Sequence, residues 1–160
     1  LCLSRPEVVA SPLPWAHYGG SHTGVCIHFS TSSMPLKIAH EVHYEDAYPE
    51  LPVPRTAIDF SEILKRVLLT KSSEWAYEKE FRVIRILGHT GPSGTLEVDW
   101  QGDMAIVDPR CAVEVTLGAR MERAARDNLI SWIGANAPHV AIFVAKLHRS
   151  RFHIEREQVQ

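Results

Sequence analysis

The sequence predicts an α+β fold in a single domain over residues 1–160, with a mixed or mostly antiparallel sheet and two main helices at about 57–71 and 120–135. Three observations carry that prediction. Short apolar segments with period-two alternation recur along the whole chain. Two segments with apolar residues at helical spacing interrupt them, and the two kinds follow no regular βαβ rhythm. A chain of 160 residues, 45% hydrophobic and 22% charged, can bury one real core and is short for two.

The elements follow in order. "LCLS" reads as a short strand, and the prolines of "RPEVVASPLP" make a loop before a helical turn at "WAHY", ended by Gly19 and Gly20. "GVCIHF" is a buried strand and "STSSMP" a turn. "LKIAHEVHYE" alternates as a second strand, with Ile38, His40, Val42 and Tyr44 on one face and Ala39, Glu41, His43 and Glu45 on the wet one. "DAYPELPVPRT" is a loop leading into "AIDFSEILKRVLLTK", where Ile58, Ile63, Leu64, Val67 and Leu68 recur at helical spacing. "EFRVIRIL" and "TLEVDW" form a hairpin around the Gly/Pro-dense "GHTGPSG". "MAIVDP" and "AVEVTLG" are short apolar segments. "ARMERAARDNLISWIGANA" is an amphipathic helix with Met121, Ala125, Leu129, Trp132 and Ile133 facing inward, ended near Gly134 and Pro138. "HVAIFVAKL" and "RFHIEREQV" close the chain as strands, the first apolar enough to be central. Trp75, Trp100 and Trp132 read as core anchors.

Composition excludes several function classes. A formal charge of −2 provides no general electrostatic signal for nucleic acid or an anionic membrane. No apolar run approaches the roughly 20 residues that span a bilayer, and the first residues lack the basic and apolar regions of a signal peptide, so a cytoplasmic location is expected. Cys2, Cys26 and Cys111 are odd in number and far apart, which fits reduced thiols. Leu1 opens directly on a strand, so the chain is expected to be the later part of a longer domain. Such a piece could complete its sheet as a homodimer through an edge strand.

In "SEWAYEKEFRVIR", residues 73–85, charges sit at alternate positions where a helix-like pattern gives way to a strand-like one. A strand beginning near Tyr77 places Glu78, Glu80, Arg82, Ile84 and Ile86 on one face and Tyr77, Lys79, Phe81, Val83 and Arg85 on the other. Same-face neighbours then lie roughly 6.5–7 Å apart, the geometry of a charged rim above an apolar floor. Two close carboxylates repel when both are ionised, which raises one pKa toward that of a useful acid or base unless a cation neutralises the pair. Glu78 and Glu80 are therefore the catalytic candidates, with Arg82, Tyr18, His17, Lys71 and Trp75 as binding candidates. The competing reading is structural: a Glu/Arg pair at a strand end commonly holds register.

Other chemistries lack their patterns. Nine histidines raise the question of a metal. His17 and His22 flank a Gly-Gly break, however, His40 and His43 point to opposite strand faces, and no His-x-x-x-His or Cys-x-x-Cys occurs, so no metal ligand is predicted. There is no Gly-x-Ser-x-Gly elbow, Cys26 lies inside an apolar strand, and Gly88, Gly91 and Gly94 do not open a phosphate-binding helix. The "RSRFHIER" tail reads as a solvated basic strand edge.

"PLPWAHYGGSHTGVCIHF", "TKSSEWAYEKEFRVI" and "VDPRCAVEVTLGARM" occur in that order, and over about residues 1–121 the chain resembles the bacterial family catalogued as domain of unknown function 2971. The residues that carry the resemblance are Trp15, Tyr18, Gly24, Phe29, Lys71, Trp75, Tyr77, Glu78, Glu80, Arg82 and Gly118. Members of that family usually have a further N-terminal portion with an Asn-Asp-Pro segment, which is not found in this sequence. The resemblance implies no reaction and singles out the same polar residues. A looser similarity joins Ser30-Thr31-Ser32 and the Glu-x-Glu to the later motifs of arginine-specific ADP-ribosyltransferases, where the second glutamate stabilises an oxocarbenium-like ribose and the serines help seat NAD. It makes NAD the cofactor candidate, although that family's early basic residue has no clear counterpart.

Two functions follow as expectations. One is an enzyme or enzyme remnant with a polar cleft for an anionic, nucleotide-like small molecule, in which Glu80 is the acid/base or charge-stabilising group and Arg82 the anion contact. The other is a noncatalytic binding or effector module whose Glu/Arg cluster is structural and whose function lies in a protein interface.

Overall fold

The structure is a computed structural model; it describes residues 1–32, 35–51, 53, 57–84, 100–101 and 104–159. In chain order its elements are strand β1 (Cys2–Ser4), helix α1 (Pro12–His17), β2 (Val25–Phe29), β3 (His40–Glu41), β4 (His43–Glu45), helix α2 (Ala57–Leu69), β5 (Thr70–Ser72), β6 (Glu80–Arg82), β7 (Trp100–Gln101), β8 (Met104–Ala105), β9 (Ala112–Leu117), helix α3 (Arg123–Asn136), β10 (Ala141–Leu147) and β11 (Ile154–Gln158). The class is α+β, as the sequence predicts, and the two main helices fall within a few residues of their predicted places. The predicted hairpin of "EFRVIRIL" with "TLEVDW" falls largely on residues 85–99, outside the described residues. The short antiparallel pair β7–β8 follows it. Among the described residues, no helix is long and apolar enough to cross a membrane.

Contacts divide the chain into two compact units, Leu1–Arg5 with Ile38–Thr90 and Pro6–Lys37 with Gly91–Gln160. In the first, β6 is the middle strand of an antiparallel sheet ordered β1-β6-β3, and β4 pairs in parallel with β5. The predicted single strand "LKIAHEVHYE" is thus a 3₁₀ turn (Leu36–Ile38) followed by two strands in two different sheets. The break falls at the buried Val42, whose N–H still bonds the Glu80 carbonyl of β6 at 2.9 Å in the register of β3, whereas the next residue, His43, already pairs with Thr70 of β5. Alternation alone cannot reveal such a change of partner, because side-chain period is indifferent to which neighbour takes the backbone bonds.

The second correction falls on the charged segment. Residues Ser73–Glu78 form a 3₁₀ turn, not the start of a strand, and Lys79 ends it in the left-handed region with φ 44° and ψ 54°. The strand begins at Glu80. Trp75, half turned to solvent on this 3₁₀ turn, is not the core anchor expected.

The second unit is built on a four-stranded mixed sheet ordered β11-β10-β9-β2, with β10 parallel to β9 and the other pairs antiparallel. Helix α3 makes the crossover from β9 to β10, a βαβ step like the one α2 makes between the parallel strands β4 and β5 of the first unit. On one sheet face Val115, Leu117 and Val140 pack with Ile133, Leu129 and Ile130 of α3. On the other, Ala145 and Ile154 pack with Trp15 and Val9, and the Trp15 indole N–H donates to the Val9 carbonyl at 2.8 Å. Trp132, expected inward, is 61% exposed: the buried stripe of α3 runs through Leu129, Ile130 and Ile133 and leaves Trp132 to one side. The helix also continues through Gly134 to Asn136, whose side-chain amide bonds the Trp132 carbonyl at 2.8 Å.

Gly118, at the end of β9, donates to the Gly24 carbonyl at 2.9 Å, and Arg120 donates to that of His22 at the same distance. A Cβ at Gly118 would lie 2.8 Å from the Gly24 oxygen and closer still to that of His22, both backbone atoms that cannot swing aside. Gly118→Ala is therefore expected to lower stability by about 1–3 kcal/mol, read as a lower urea midpoint at unchanged m-value. A wild-type midpoint would show that the turn does not approach β9 this closely.

Candidate functional site

The first unit gathers four of the predicted site residues into one cluster. Helix α2 runs directly into β5, which brings Lys71 alongside Tyr44 of β4. The left-handed Lys79 then turns the chain so that Glu78, on the 3₁₀ turn, and Glu80, on β6, approach the same ammonium. Lys71 Nζ bonds Glu78 Oε2 and reaches Glu80 Oε2 at 3.1 Å. Arg82 grips Glu80 as a fork, Nε to Oε1 at 2.8 Å and Nη2 to Oε2 at 3.0 Å. Its Nη1 donates to the carbonyl of Leu68, one of the last of α2, where a cation also meets the negative end of the helix. The Glu80 N–H donates to the Tyr44 hydroxyl at 2.8 Å.

Both glutamates are buried, at 5% and 4% exposure, while Lys71 and Arg82 are partly exposed. Burial by itself would raise the Glu80 pKa, but hydrogen bonds from Arg82, Cys2 and Lys71 outweigh it and bring the carboxyl down to about 2. Lys71 is pushed up in turn: burial works against its charge, and the bonds to Glu78 and Glu80 prevail. For Arg82 the Glu80 bonds lead the upward shift. Two cations thus meet two carboxylates, and Glu80 is an anion that accepts bonds with both oxygens, not a proton donor or acceptor near neutral pH.

Trp75 completes the group, with Lys71 Nζ 5.0 Å from its ring centroid and the Tyr77 ring centred 6.0 Å away. His17 and Tyr18, also binding candidates, belong to the second unit, at the end of α1. Both are exposed, with ring centroids 6.1 Å apart. Ser30 and Ser32 lie in that unit too, in the turn after β2, their hydroxyls 2.9 Å apart. Among the described residues, no group of three or more His, Cys, Asp or Glu side chains could hold a metal ion.

Sequence reasoning missed the supports of this cluster: the Tyr44 hydroxyl, the Leu68 carbonyl and Cys2, which stands opposite Arg82 across β1 and β6. It also missed a second polar cluster on the sheet of the second unit. There Glu114 Oε2 lies 3.1 Å from His28 Nδ1 and accepts from Arg156 Nη1 at 2.9 Å, while the Arg156 guanidinium lies 4.6 Å from the Phe143 ring centroid. Burial lowers the His28 pKa despite its carboxylate neighbour. The one available signal was the lone glutamate of "AVEVTL", an acid in an otherwise neutral strand.

Residues 15–83 match the model of a family described as a protein of unknown function, DUF2971. The resemblance read from the sequence is thereby shown over this stretch, which holds the Trp15-to-Phe29 motif and Lys71 to Arg82. The third segment, with Gly118, lies beyond the matched residues. No curated protein and no solved structure matches the chain.

The depressed pKa of Glu80 links the cluster to stability. The folded value of about 2 lies below the ordinary 4.5, so ionised Glu80 favours the folded state fully above 4.5, and this contribution is lost as pH falls from there toward 2. Urea melts across that window are expected to show a falling midpoint. Glu80→Gln, which leaves Arg82 and Lys71 short of their partner, is expected to start roughly 3–5 kcal/mol lower and to depend less on pH in the same window. Equal pH dependence in the two proteins would remove Glu80 as the source.

Proposed function

We propose that the protein is a noncatalytic binding or effector module that acts through a protein interface, with Lys71, Glu78, Glu80 and Arg82 as an internal clasp. One observation carries this reading: Glu80 is almost wholly buried, and both its oxygens are engaged by side chains of the same chain. A general acid needs a pKa near the working pH and an open path to substrate. An ADP-ribosyltransferase-like role would require Glu80 to face a ribose, and its oxygens face Arg82 and Lys71 instead.

A second reading rests on Trp75. Trp75 is 36% exposed, with the Lys71 ammonium 5.0 Å from its ring centroid and the Tyr77 ring centred 6.0 Å away, an aromatic and cationic surface on which a planar, nucleotide-like ligand could stack. Here Trp75, not Glu80, is the contact residue.

A thermal-shift screen against NAD, nucleotides, sugar phosphates and divalent metals separates the two readings. The clasp reading expects no ligand-dependent rise in melting temperature, together with a large drop for Glu80→Gln without any ligand. A rise with NAD or a nucleotide that Trp75→Ala abolishes, the variant staying folded, would replace it with the small-molecule site. A rise that vanishes in a well-folded Glu80→Gln would restore Glu80 as a functional group.

A further inference from the structure

The mixed sheet of the second unit has two edges of very different character. Strand β11 presents Glu155, Arg156 and Glu157 within a five-residue strand, and β2 presents "VCIHF", with no Lys, Arg, Asp or Glu. Charged edges discourage pairing with another chain; apolar ones invite it. Among the described residues, nothing pairs with the outer side of β2.

The register shows which backbone groups face outward. Gly118 N–H bonds Gly24 O, and β2 runs antiparallel to β9 with Cys26 opposite Thr116 and His28 opposite Glu114. In an antiparallel ladder, bonded and non-bonded pairs alternate. Gly24, Cys26 and His28 therefore spend their backbone groups on β9, and Val25, Ile27 and Phe29 direct theirs away from it. The Val25 and Ile27 side chains lie on the α3 side of the sheet, opposite Leu117 and Val115, yet are 43% and 44% exposed, and Val113 beside them is 40% exposed. An open ladder and an uncovered apolar strip thus coincide on one edge.

We infer that two copies of this chain pair through β2, antiparallel about a two-fold axis at Ile27, joining two four-stranded sheets into one. The occupant is a second copy because the edge is self-complementary. With Ile27 on the axis, Val25 faces Phe29 and Cys26 faces His28 of the other copy, and the three outward residues of each strand meet as bonded pairs, about six backbone hydrogen bonds in all. No like charges oppose. The same operation on β11, about Arg156, would set Glu155 against Glu157 and Arg156 against itself, pairings that destabilise a ladder. The apolar strips of Val25, Ile27 and Val113 become continuous across the axis on the α3 side of the joined sheets. The inference rests on the reading of the protein as an interaction module and names its partner, but its test does not involve the Glu80 cluster.

The experiment is light scattering after size exclusion over a wide range of protein concentration, with hydrogen exchange on the same samples. The wild type is expected at twice the chain mass, with the Val25, Ile27 and Phe29 amides protected and losing protection on dilution. Ile27→Lys sets two ammonium groups face to face on the axis and is expected to be monomeric with an unchanged far-UV spectrum, since the side chain is not in the core. Val25→Lys serves as a second variant should the first fail to fold. Glu157→Ala, on the opposite edge, is expected to leave the dimer intact. A monomer at every concentration, a dimer indifferent to both lysine variants, or a dimer broken by Glu157→Ala would each overturn the inference. None of these results would bear on whether the Glu80 cluster is a clasp, which the thermal-shift screen decides separately.

Discussion

A carboxylate that has left water is costly unless its charge and its lone pairs are both met, and in the first unit that constraint falls on Glu80. Its partners are delivered by β1, β5 and β6, and its own amide is held by β4. The strands are too short to be stable as sheets alone: three residues each in β1, β5 and β6 and two in β3. Arg82 extends the same bonding to the end of α2 through Leu68. Elements that could not hold one another by ladder bonds alone are tied through one anion.

The second unit rests on a different principle. Its sheet is covered on part of one face by α3 and on part of the other by Trp15 and Val9, and its polar groups, His28, Glu114 and Arg156, lie over the strands and are only partly withdrawn from solvent. Apolar burial does there what charge pairing does in the first unit. The family match spans both kinds of construction, from Trp15 to the charged cluster, so neither unit alone contains the matched stretch.

The sequence was most legible where one physical signal dominated. The helical spacing of Ile63, Leu64, Val67 and Leu68 marked α2, and the apolar run from Ala141 to Ala145 of β10 marked an inner strand. Glu80 and Arg82 were legible as a pair because alternation puts them on one face. Legibility failed where the backbone changed state without a change in pattern. Val42 looks like any inward residue of a continuous strand, and Trp132 sits at the edge of a helical stripe whose packed residues are Leu129 and Ile133. Lys79 carries no glycine to announce a positive φ. Tyr44, the Leu68 carbonyl and Cys2 were invisible as cluster members because their roles depend on which strands meet, and a single sequence does not say.

Lys79 has a bearing on motif searching. Glu-x-Glu-x-Arg on a straight strand keeps its two carboxylates a full pleat apart, and each is free to serve a different purpose. With the middle residue left-handed, the same five letters fold both carboxylates onto one lysine. The letter between the glutamates decides which geometry is available: glycine, asparagine or an unbranched side chain tolerates the turn, and valine, isoleucine or proline does not. A pattern that treats that position as any residue therefore pools two different pieces of chemistry under one name.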